Sequence, residues 1–97
     1  MSDTVSQELF FELVGKFVDE ANTLSQQHPP ELVATSMMYA LARYNTYVVA
    51  RSARDKDDFT ADRQQALDFF TERYQAMFLE NFKDHMANYE TYMETSR

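Results

Sequence analysis

Apolar residues return every three or four positions through most of the chain, the spacing of helices that turn one face to a core. In the first segment Phe10, Leu13, Val14, Phe17, Val18, Ala21 and Leu24 make that stripe and predict a helix over residues 6–26. Thr4 or Ser6 would cap its start, where Glu8 and Glu12 complement the positive end of the helix dipole. Leu9 and Phe11 fall beside the stripe and read as a widened core face or a staple at the helix start.

The run Gln26-Gln27-His28-Pro29-Pro30-Glu31 is the clearest break. Pro30 lacks a backbone donor and Pro29 pushes His28 toward extended geometry, so one helix must end there. Pro30 or Glu31 suits the first turn of the next helix, where a missing amide costs nothing. That helix is expected over residues 31–54, with Val33, Met37, Ala40, Leu41, Tyr44 and Val48 on one stripe and Met38, Ala42 and Val49 beside it. An apolar face this wide marks a central helix flanked on two sides.

The charged run from Arg54 to Thr60 reads as a solvated connection, with Asp58 or Thr60 capping the next helix. This third helix is expected over residues 60–95, carried by Leu67, Phe70, Tyr74, Met77, Phe78, Phe82, His85, Met86, Tyr89 and Met93. Unbroken, it would be about 52 Å long, against about 32–36 Å for the first two. The overhang has two resolutions, because a bare apolar end is unfavourable in water. Either the helix breaks near residues 81–85, with Asn81 or Asp84 capping a short fourth helix, or its end packs on another chain. The second is preferred: Phe82, Met86, Tyr89, Tyr92 and Met93 are residue types common at interface cores, and a twofold homodimer is the simplest assembly.

The expected fold is therefore all-α: one domain over residues 1–97, a three-helix up-down-up bundle whose long third helix is continuous or broken into a fourth. Composition agrees. One glycine and one pair of prolines are too few for a turn-rich β or α/β fold. An apolar fraction of 44%, with 14% aromatic, places the chain among folded proteins despite a net charge of −7.

Function is narrowed mainly by exclusion. The absence of cysteine removes disulfides, thiolate metal sites and cysteine nucleophiles. The acidic start of the chain and the lack of a long apolar run predict a cytoplasmic protein that does not enter membranes. Sixteen acidic against nine basic residues make nucleic acid an unfavourable partner. His28 and His85 are the two histidines and no Glu-x-x-His pair exists, so a carboxylate-bridged metal site is not expected, nor any cofactor. Asp19-Glu20 and Asp57-Asp58 are adjacent pairs that point apart, and the serines lack a base, so an enzyme is not expected.

One stretch, residues 37–50, places Arg43 and Asn45 within an apolar and aromatic run. Arg43 would lay its methylenes on the core and reach a carboxylate such as Glu12, Asp19, Asp68 or Glu72, while Asn45 would fix helix register. The rival reading is a small anionic-ligand site lined by Arg43, Tyr44, Asn45 and Tyr47.

Residues 17–27, 36–50 and 66–90 together resemble the small proteobacterial family known as domain of unknown function 3144, over about residues 10–92. The likeness rests on Ala21 and Asn22, on Ala42, Arg43, Tyr44, Asn45 and Tyr47, and on Phe70, Tyr74 and Asn81. It implies an all-helical fold and a bacterial cytoplasmic source, carries no activity, and draws attention to Asn22, Arg43 and Asn45 as a polar cluster between helices. The expected function is that of a small acidic, non-enzymatic helical protein acting in protein–protein interaction through homodimerisation. The alternatives are an anionic-ligand module on the second helix, with Asn22, Arg43, Asn45 and Tyr47 as its residues, or an acidic decoy for a nucleic-acid-binding protein.

Overall fold

The computed structural model describes residues 3–96, with side chains for residues 6–94. It contains α1 (Asp3–Ser25), α2 (Pro30–Ser52), α3 (Lys56–Ala61), α4 (Arg63–Ala87) and α5 (Tyr89–Ser96), and no strand among the described residues. The protein is all-α, as the periodicity requires. Backbone packing divides the chain into two units, Met1–Val48 and Val49–Arg97.

In the first unit α1 is already helical at Asp3, so Ser6 lies inside the helix instead of capping it; the side chain of Thr4 lies outside the described residues. The helix unwinds through a turn in which the His28 amide donates to the Leu24 carbonyl at 3.0 Å. Pro30 opens α2, and the Pro29 carbonyl accepts from the amides of Leu32 and Val33 at 3.0 and 3.2 Å. Proline at a first helical position and a preceding carbonyl that starts the ladder are what the sequence of this turn dictates.

Burial is concentrated beside that turn. Ala21 and Ser25 are half-buried, and Val33, at 6% exposure, is the one buried residue among those described. Apart from Ala21, the α1 stripe stays open to solvent from Phe10 through Leu24, with Phe17 at 73% exposure. On the second helix, expected to be central, Met38, Leu41 and Tyr44 also remain exposed. Periodicity identifies the face that must be covered but not what covers it.

The second unit corrects the reading of residues 54–95. The charged run is a capped helix. Asp55 is the N-cap of α3 and accepts from the Asp58 amide at 2.8 Å, while the Asp58 carboxylate accepts from the Arg54 amide at 3.0 Å. The cap satisfies one amide that helix formation leaves without a partner, and Asp58 reaches back to the residue before the cap, a variant of the capping box. The Arg54 guanidinium also pairs with Asp58 at 3.7 Å. Thr60 lies within α3 and donates back to the Lys56 carbonyl at 2.8 Å.

A single residue, Asp62, with φ −81° and ψ −3°, joins α3 to α4. Its amide donates to Phe59 at 3.1 Å and its carbonyl accepts from Ala66 at 2.8 Å, so the chain passes between helices without a loop. Around this corner Val49, Ala53, Phe59, Ala66 and Phe70 are half-buried. They are the small apolar nucleus of the unit.

The overhang resolves by a break, three residues beyond the expected stretch, at Asn88 (φ −124°, ψ 28°). Asn88 donates from its side chain to both the Asp84 carbonyl, at 3.1 Å, and the Asp84 carboxylate, at 3.0 Å. An asparagine that bonds the preceding turn through its side chain competes with helix continuation.

Candidate interaction surface

On α2 the polar residues do not gather into a site. Instead of reaching a carboxylate, the Arg43 guanidinium lies over the Tyr39 ring, 5.3 Å from its centre, one turn back on the same helix. Tyr44 and Tyr47 form a tilted ring pair 5.9 Å apart, and Asn45 is half-buried between exposed neighbours. Asn22 sits within a turn of the end of α1, whereas Arg43 lies about 20 Å along α2 from Pro30 by helical rise. The structure therefore keeps Asn22 apart from Arg43 and Asn45. Among the described residues no His, Asp and Glu side chains gather into a group of three or more that could hold a metal ion.

The aromatic order of the chain is on α4. Tyr74 and Phe78 have ring centres 6.1 Å apart, and Phe78 and Phe82 are 5.9 Å apart, so three rings spaced by four residues run as one ridge. Upstream, Phe69 meets Phe70 edge to face at 5.2 Å and carries the Arg73 guanidinium at 4.9 Å. Every residue from Thr71 to Thr91 is exposed. At the start of α4 a shallow groove of about 320 Å³ is lined by Val49, Asp62, Gln65, Ala66, Phe69 and Phe70.

The residues expected at an interface divide into two groups. Phe82, Met86 and Tyr89 are exposed, while Tyr92 and Met93 are half-buried. Beyond the bend at Asn88 the Tyr92 ring stacks on His85, 4.1 Å away and 18° from parallel, and its hydroxyl donates to the Asp84 carboxylate. His85 is fixed from the other side by its Nδ1, 2.9 Å from the Asn81 carbonyl. The hydrogen bond to Asp84 raises the Tyr92 phenol above its ordinary pKa, with desolvation and the negative charge adding to it. Asp84 is thus the hub of a latch that holds α5 to the end of α4. Sequence reasoning named Asp84 only as a cap; the four-residue spacing of Asp84, Asn88 and Tyr92 was the signal available.

A family model described as protein of unknown function (DUF3144) matches residues 10–86. The chain belongs to that family. The match bears out the resemblance carried by Ala21–Asn22, the Arg43–Tyr47 region and Phe70 to Asn81; it spans the ridge with Asp84 and His85 and ends before α5. Among solved structures the chain is similar to the NMR structure of the protein NB7890A from Shewanella sp., at 29% identity and a TM-score of 0.72, over 91% of this chain and 94% of that one. No curated protein matches the chain. No described helix is long and apolar enough to cross a membrane.

Proposed function

We propose that this DUF3144 member is a small acidic, non-enzymatic helical protein that works by binding protein, in the first instance a second copy of itself. The observation that carries the reading is the bare apolar surface. Phe10, Phe17, Leu41 and Tyr44 in the first unit and Tyr74, Phe78 and Phe82 in the second are all exposed. With Val33 as the one buried residue among those described, a covering surface is what these helices lack.

The anionic-ligand reading of α2 has less behind it, since Arg43 is engaged with Tyr39 on its own helix and Asn22 is remote from it. Acidity alone motivates the decoy reading. Light scattering after size exclusion, across a concentration series, tests the proposal: twice the chain mass of 11.4 kDa is expected. A monomer at every concentration rules out self-association.

A further inference from the structure

Granting the self-association just proposed, we infer that two copies of the chain meet through the ridge Tyr74, Phe78 and Phe82 of α4, the ridge of one copy crossing that of the other. The need for a partner is acute on this segment. Helices alone in water are marginal and draw most of their stability from a packed face, yet within its own unit every residue from Thr71 to Thr91 is exposed. The rings already touch in sequence, at 6.1 and 5.9 Å, so they present a formed surface.

The spacing also sets the geometry. Steps of four residues advance about 40° around a helix, so the ridge slants across α4 instead of running along it. Slanted ridges of this kind interdigitate when two helices cross at about −50°, the commonest packing of helices in globular proteins.

Charge points to a second copy as the occupant. Chains of net charge −7 repel, and a contact face free of carboxylates adds least to that repulsion. By helical position Glu72, Arg73, Glu80, Lys83 and Asp84 all lie on the side of α4 away from the ridge. The residues flanking the rings are Thr71, Gln75 and Asn81, which are polar and uncharged, with His85 at the far end of the ridge. An aromatic centre with an uncharged polar border is the composition of an interface core. A basic partner protein would instead call for carboxylates beside the rings. Phe82 thus belongs to the contact.

The chain contains no cysteine, so single cysteines report position without further changes. The test cross-links the full-length variants Gln75→Cys and Arg73→Cys with a short bismaleimide, alongside light scattering of the unmodified chain and of Phe78→Asp. Covalent dimer from Gln75→Cys and little from Arg73→Cys, with a mass that halves in Phe78→Asp, is the expected result. Cross-linking from Arg73→Cys in place of Gln75→Cys, or a Phe78→Asp variant that stays dimeric, removes the ridge but leaves self-association standing. An unmodified chain that is monomeric throughout removes both. Should Phe78→Asp fail to fold, the cross-linking pair still decides.

Discussion

Dilution is the perturbation that most directly probes what covers these helices. If a second copy supplies the missing packing, folding and association form one equilibrium and the melting temperature depends on chain concentration. With about 2.1 cal/mol/K of unfolding entropy per residue, a pair of 97-residue chains carries about 0.4 kcal/mol/K. A tenfold change in concentration is about 1.4 kcal/mol, so the midpoint should move by about 3–4 °C per tenfold dilution and about 10 °C over three decades. Melting followed by far-ultraviolet circular dichroism over that range measures it directly, with mass determined on the same samples. A helical chain whose midpoint does not move would refute the reasoning: the stripes on α1, α2 and α4 would then be covered without a second copy. Dissociation into monomers that keep their helices would show that association comes after folding instead of causing it.

Tyr44→Ala is expected to cost about 0.5–1.5 kcal/mol, the worth of its ring pair with Tyr47, because the side chain is 63% exposed; a loss of 3–5 kcal/mol in denaturant melts would show α2 to be buried as well. Gly15→Ala should stabilise α1 by about 1 kcal/mol, since an added methyl group meets nothing within 4 Å; a destabilised variant would place a partner against that position. Asp55→Ala should cost about 1 kcal/mol and speed amide exchange in α3 first, by removing the N-cap. Tyr92 should be among the last tyrosines to ionise in an ultraviolet titration, and Asp84→Asn should return it toward its ordinary value of about 10. The sign is set by the raised folded value: the latch is fully made below about pH 10 and lost as pH rises through that higher value. A Tyr92 that titrates normally in the unmodified chain would mean that the contact with Asp84 is not held in solution.

Local chemistry was legible where the deciding groups are near neighbours in the chain. Pro29-Pro30 placed the start of α2 because a ring without an amide has few other places to go, and the apolar spacing from Phe10 to Leu24 marked α1 for the same local reason. Residues 54–60 misled because charge runs usually join helices; here Asp55 and Asp58 spend their carboxylates on backbone amides, and α3 forms. The break at Asn88 and the return of Tyr92 to His85 and Asp84 depend on side-chain bonds across two turns that a hydrophobic period cannot register. What the sequence by itself determined is which residues form helices and which face of each is apolar, because both arise from spacing and backbone sterics. The three-dimensional structure alone decided that Tyr44, Phe17 and Phe78 stay uncovered in the chain, since burial depends on what lies across from a side chain and not on the pattern it belongs to.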